Sequence, residues 1–351
     1  MLIDFLEMFG IIRKTNNQVG ENISSLLYGA FVDRIVNLKS IIHSKRANLY
    51  FLEKCRVMVK DGRVVYLSEK SKQLNYWNIP IANTTVIILG LGTSITNSAV
   101  RMLASAGVLI GFSGDDCTPL FAGAEIEWIS PVNEYRPTEY CQGWVKKWQD
   151  ENTRLKLAKD FQKSRIDFIK KVWGKDKMFC ENGINIKQDN FSSILYEFER
   201  KIDDAPNVTK LLQLEATMTK SIYKEVSTLI GIFDFVRDRE SMDYTNRFLN
   251  HGNYLAYGLA ASVLWCLGIP HSFAVMHGKT RRGALVFDVA DLIKDAIVLP
   301  LSFILGKDGV SDVEFRKNCI SFFIEYKAMD YMFNVVKNFS EENCDDSDIS
   351  V

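Results

Sequence analysis

An α+β fold, with strands gathered at the N-terminal end and an all-helical domain behind them, is what this chain of 351 residues predicts. Three observations point that way. Short β-rich runs alternate with turn residues before about residue 125. Helical periodicity takes over after Pro131 and Pro137 and persists to about residue 338. With 47% hydrophobic and 25% charged residues, the chain can bury a sizeable core and, by length, hold about two domains.

Taken in order, residues 1–36 read as one amphipathic helix or two, divided by the polar stretch 14–21, and form an expected helical extension. A β-rich domain follows at 37–125. Runs at 48–52, 56–60 and 63–67 are its first strands. Asp61-Gly62 marks a two-residue hairpin between the last two, because a type I′ turn needs positive φ at both central positions. Further strands are expected at 85–89, 108–112 and 120–122. A linker at 126–137 leads to an α-helical domain at 138–339, where Pro206, Pro270 and Pro300 are expected to break helices. Tyr140, Trp144 and Trp148 recur at i, i+4 and i+8, the spacing of a core stripe rather than a base-stacking platform. Residues 340–351 form an acidic tail.

Composition excludes several classes. Lys plus Arg equals Asp plus Glu at 43 each, so any nucleic-acid surface must come from local clustering. The seven cysteines are scattered, without a C-x-x-C pair, which argues against a disulfide framework and a cysteine zinc site and fits a reducing cytoplasm. Asp4 and Glu7 interrupt the first apolar segment, and the apolar run 259–269 is too short to span a bilayer, so no membrane segment is expected.

The stretch TVIILGLGTSI (85–95) suggests a strand, a Gly90-Leu91-Gly92 turn and a helix start, with 108–112 as the second strand of a βαβ unit. Ile95 stands where the dinucleotide fingerprint wants a small residue. A glycine turn followed by a Thr93 or Ser94 N-cap is the simpler expectation. A nucleotide-binding enzyme built on this turn remains the rival reading.

The second constellation is acidic. In MHGKTRRGALVFDVADLIKD (276–295), a helix over about 285–298 at roughly 100° per residue brings Asp288, Asp291 and Asp295 into an arc of about 60° at the margin of the buried face. A solvated acidic face is one explanation; a divalent cation that turns mutual repulsion into attraction is the other. Glu215 lies inside the apolar stripe of Leu211, Met218, Ile222, Val226 and Leu229, where an unpaired carboxylate is costly to bury. His277 precedes Asp288 by eleven residues in a chain with four histidines, and serves as ligand or proton shuttle. One Glu, one His and two Asp suit Mg²⁺ or Mn²⁺. Lys279, Arg281 and Arg282 carry the charge to hold a phosphodiester beside it. Phosphoryl transfer on nucleic acid follows from that company. A DNA-binding scaffold with a merely structural acid cluster is the third reading. Asn246, Arg247, His251 and Asn253 either line the site or satisfy a helix N-terminus locally.

The stretches HSKRANLYFLEKCRVMV (43–59), YWNIPIANTTVIILGLGTSIT (76–96), EYRPTEYCQGWV (134–145), NRFLNHGNYLAYGLAASVLWCLGIP (246–270) and HGKTRRGALVFDVADLIKD (277–295) closely resemble the adaptation integrase of type I-F CRISPR systems, over about residues 38–338. The resemblance implies an N-terminal β-sandwich domain and a C-terminal all-α catalytic domain. It also implies a homodimer that joins a second CRISPR adaptation protein, fused in this branch to the helicase-nuclease. Its activities would be insertion of short foreign DNA into the CRISPR array by 3′-hydroxyl attack, and metal-dependent cleavage of branched DNA. Carried onto this chain, the family's catalytic and metal residues are Glu215, His277, Asp288 and Asp291, with Asp295 supporting them from behind. Lys279, Arg281, Arg282 and Arg247 are the expected DNA contacts, and residues 1–35 have no counterpart.

Overall fold

The hairpin forms where Asp61 and Gly62 demand it. Their φ angles are 50° and 72°, and Lys60 pairs with Arg63 across the turn, joining β2 (Cys55–Lys60) to β3 (Arg63–Ser68). The computed structural model describes residues 46, 48–68, 75–112, 127–129, 138–277 and 284–341. The expected helical extension, the strand at 120–122 and the tail beyond residue 341 lie outside the described residues.

Two four-stranded sheets make up the N-terminal domain. One has the order β1 (Asn48–Leu52), β5 (Thr84–Leu89), β7 (Leu109–Phe112), β8 (Glu127–Ile129); the other has β4 (Asn75–Asn78), β3, β2, β6 (Ser94–Ile95). β1, β5 and β7 run parallel. Every residue of β5 is buried, as a continuous apolar run covered on both faces must be. Ile87 and Leu89 face the other sheet, where they meet Val57 and Val64. Val86 and Ile88 join the core of the helical domain. β8 falls inside the stretch expected to be linker, and pairs antiparallel with β7. Three residues are too few for alternation to betray a strand.

β5, helix α1 (Asn97–Ser105) and β7 form the βαβ unit that the glycine turn suggested, but without a phosphate cradle. The Gly90 N–H is committed to the Leu52 carbonyl at 2.8 Å, and a Cβ at Gly90 would stand 2.7 Å from Glu53 Cγ. The expected cap at Thr93 or Ser94 is corrected to Thr96, whose hydroxyl accepts from the Ala99 N–H. Ser94 instead starts β6 beside Arg56. The helix therefore begins past the glycines and a separate strand, with its N-terminus capped by its own Thr96, and the nucleotide-binding reading loses its physical basis.

The helical domain comprises α2 (Glu139–Gln149), α3 (Glu151–Trp173), α4 (Lys177–Glu181), α5 (Asp189–Asp203), α6 (Val208–Ile230), α7 (Tyr244–Cys266), α8 (Leu285–Asp308), α9 (Asp312–Glu325) and α10 (Ala328–Glu341). Pro206 and Pro270 separate helices as expected. Pro300 does not: it sits within α8. Proline there withholds the N–H that would bond the Ala296 carbonyl, four residues back. The indole N–H of Trp173 donates to that carbonyl at 3.0 Å, so the break costs little. Such a substitute donor cannot be read from local sequence.

α8 is the axis of the domain. From Leu285 to Gly306 it is buried except at Lys294, enclosed by α3, α6, α7, α9 and α10. A helix apolar nearly all round belongs at a centre. Its closest neighbour is α7, whose Gly252 permits the approach: a Cβ there would stand 2.4 Å from Val298 Cγ1. Among the described residues, no helix is long and apolar enough to cross a membrane.

Candidate metal centre

Because α8 is enclosed on every side, the three aspartates are not at the margin of a buried face but within it: Asp288, Asp291 and Asp295 are 3%, 7% and 5% exposed. Each is matched by a partner. Asp291 pairs with Lys294, three residues on along the same helix. Asp295 accepts from Nε of Arg165 at 2.9 Å and also from its Nη2. Arg165 stands on α3, 3% exposed, and its Nη1 donates at 2.6 Å to Glu215 Oε1 on α6. Its Nη2 reaches the Thr219 hydroxyl at 3.1 Å. Three of the four carboxylates thus share two cations, the buried Arg165 and the half-buried Lys294.

Glu215, His277 and Asp291 converge: one donor atom from each lies within 4.8 Å of the others. Helix α6 supplies the first, the segment after α7 the second and α8 the third. Asp288, expected among the ligands, is not one of these three. Its Oδ2 accepts the N–H groups of Val275 (2.8 Å) and Met276 (3.1 Å), and its Oδ1 accepts the His277 N–H (3.2 Å) and lies 2.6 Å from His277 Nδ1. A carboxylate one helical turn before Asp291 points behind the imidazole and has its oxygens occupied there. Its work is to hold the ring, with Nδ1 as the protonated nitrogen and Nε2 as the remaining donor atom.

The segment bearing His277 is held from the other side as well. Trp144 Nε1 donates to the Phe273 carbonyl at 3.0 Å, and Trp148 Nε1 to the Ala274 carbonyl at 2.7 Å. Trp144 is in the core and Trp148 is half-buried against it, and their indole N–H groups hold the segment that carries His277.

Electrostatics follow from this packing. Burial pushes the Glu215 carboxyl above its ordinary range, against the pull of Arg165. Burial acts in the same direction on Asp291, but Lys294, Arg165 and His277 outweigh it and hold that carboxyl low. Burial disfavours a charged His277, yet the bond to Asp288 and the charges of Asp291 and Glu215 raise its pKa overall. Glu215 Oε2 is buried without a hydrogen-bond partner. An orphaned carboxylate oxygen beside an imidazole and a second carboxylate is the donor set of a hard divalent cation, and the residues present fit Mg²⁺ or Mn²⁺.

The site opens into a cavity of about 330 Å³, which Arg237, Arg239, Asn250, Asn253 and Tyr254 also line. This resolves the open question about residues 246–257 by helix face. Asn246 is satisfied locally, bonding Asp243, Arg237 and Val236, and Arg247 pairs with Asp312 at 3.0 Å and does not line the cavity. Asn250, Asn253 and Tyr254 do. Lys279, Arg281 and Arg282 lie outside the described residues. Sequence reasoning missed Arg165, Lys294, Arg237 and Arg239. Arg165 carried the same signal that exposed Glu215, a charge amid the apolar residues Phe161, Ile166, Phe168, Ile169 and Val172.

Comparison with known proteins agrees with this architecture. The family model "CRISPR associated protein Cas1" matches residues 49–327. The CRISPR-associated endonuclease Cas1 of Pectobacterium atrosepticum is 47% identical over 312 residues, covering 87% of this chain and 96% of its own, and that of Pseudomonas aeruginosa is 46% identical with the same coverage. A crystal structure of a TtCas1–DNA complex shares the fold, with a TM-score of 0.61 at 19% identity, over 86% of this chain and 94% of that one. A family match spanning sandwich and helical domain alike, with relatives at nearly half identity, establishes that the chain belongs to the CRISPR-associated Cas1 family.

Proposed function

We propose that the chain is a divalent-metal-dependent DNA endonuclease and integrase of type I-F spacer acquisition, joining short foreign DNA to the CRISPR array by 3′-hydroxyl attack on a phosphodiester. The observation that carries this is the convergence of Glu215, His277 and Asp291 around an orphaned carboxylate oxygen, in a cavity that Arg237 and Arg239 also line. The relatives named as endonucleases and the TtCas1 bound to DNA support it.

In this reading Glu215 Oε2, the His277 imidazole and an Asp291 oxygen hold Mg²⁺ or Mn²⁺. The bound ion supplies polarisation of a non-bridging phosphate oxygen and a lowered pKa for the attacking hydroxyl or water. Asp288 fixes the imidazole's tautomer and orientation. Lys294 and Arg165 offset the excess of carboxylates that would otherwise repel a polyanion. Arg237 and Arg239, which line the same cavity, contact the DNA backbone, and Lys279, Arg281 and Arg282 supply further positive charge for it in this reading. A homodimer, joined by a second adaptation protein fused to the helicase-nuclease, brings two such sites to the two strands of the target.

The test is strand transfer from a short duplex with free 3′-hydroxyls into a repeat-bearing target, with Mn²⁺ or with chelator. Joined products are expected with Mn²⁺ and none with chelator; equal product in both would overturn the proposal. Asp288→Asn removes one acceptor from the His277 segment but leaves the three converging donors. It is expected to weaken Mn²⁺ binding by about 10–100-fold, the usual cost of losing a residue that orients a ligand, read by isothermal titration.

A further inference from the structure

Glu215 has two chemically equivalent oxygens in unequal surroundings. Oε1 accepts from Arg165 Nη1 at 2.6 Å, while Oε2 is buried and unpartnered. The difference is imposed by one side chain that reaches three elements. Arg165 donates through Nε and Nη2 to Asp295 on α8, through Nη1 to Glu215 on α6, and through Nη2 to Thr219, one turn beyond Glu215. Nη1 lies 3.4 Å from Gln162 Oε1 on its own helix. A planar guanidinium with bonds along several edges has little rotational freedom left.

Long carboxylates such as Glu215 spread over several rotamers when untethered, and ordering one costs up to about 1.5–2 kcal/mol. Here that cost is met on folding. We propose that Arg165 is the positioning residue of the metal centre, anchored by Asp295 and Thr219 and holding Glu215 by Oε1 so that Oε2 is presented to the cation. The inference rests on the metal-dependent reading above. It gives Asp295 a defined part as well: it is the counter-charge that keeps Arg165 in register with α8. In this role Arg165 acts on the cation through Glu215.

Mn²⁺ binding by the full-length protein, measured by titration calorimetry together with thermal melting in chelator, tests this directly. Arg165→Lys keeps the charge but cannot reproduce the fork. It is expected to raise the Kd for Mn²⁺ by about 10–100-fold, as loss of a ligand's supporting contact does. Thr219→Val is charge-neutral and removes only one acceptor from Nη2; it is expected to raise the Kd at least threefold with chelator melting close to wild type. It stands as the deciding variant if Arg165→Lys does not fold. A purely structural role for Arg165 moves the melting temperature and leaves the Kd of folded variants unchanged, and that result would overturn the inference while leaving the metal reading intact. A wild type that binds no Mn²⁺ would overturn both.

Discussion

His277→Ala is expected to lower Mn²⁺-dependent strand transfer and branched-DNA cleavage by about 10³-fold or more, to the background of the assay. The imidazole is one of three converging donors, and losing it removes several kcal/mol of charge stabilisation at the reacting phosphate, each 1.4 kcal/mol being about tenfold in rate. Folding should be little affected. The backbone of the segment stays pinned by the N–H groups of Val275, Met276 and His277 on Asp288 and by the two tryptophan bonds to Phe273 and Ala274. The ring itself is 24% exposed, so its removal opens no deep void. Rates by single-turnover gel assay and far-ultraviolet circular dichroism separate the two effects. Undiminished cleavage in His277→Ala would exclude this site as the seat of the chemistry.

Arg165→Met is expected to produce the largest loss of stability of any single substitution at the site. Methionine comes near the length of the side chain and carries none of its charge, leaving the buried Asp295 and the Oε1 oxygen of Glu215 without their common cation. Breaking a buried pair on one side costs about 3–5 kcal/mol, because the stranded charge remains. In a helical domain of this size, that lowers the melting temperature on the order of ten degrees. Burial by itself would lower the pKa of this arginine, but the carboxylates of Asp295 and Glu215 raise it further than burial lowers it, so Arg165 is charged at every accessible pH. Chemical denaturation checks the figure. A loss below about 1 kcal/mol would mean that water reaches the cluster and that its charges are solvated.

The sequence disclosed the parts of this structure whose cause is local. Asp61-Gly62 announced a hairpin because φ > 0 at two successive positions is a property of those residues. Glu215 stood out because a carboxylate inside an apolar stripe demands a partner wherever the helix lies. The division of labour between Asp288 and Asp291 was not legible, since both occupy one helix face and only the path of residues 273–277 decides which carboxylate meets backbone amides. Pro300 was misjudged for the same reason: its tolerance depends on an indole 127 residues earlier in the chain. The burial of α8 was underestimated because wheel arguments assign one covered face, and this helix has neighbours all round. Arg165 obeys the same rule as Glu215, a charge set among buried apolar residues of its helix.

The central sheet has a consequence for how the molecule comes apart. Leu49, Val86, Ile88 and Leu109 share an interior with the helices, and Val86 and Ile88 lie against Gly258 of α7. Neither half therefore owns a complete set of solvent-compatible surfaces. Cutting the chain between β8 and α2 would not release two independent modules but would strip a hydrophobic wall from each, and the isolated strands would present it to one another. The helical domain and the sandwich are best regarded as one cooperative melting unit, in which damage to the sheet reaches the helical core through α7.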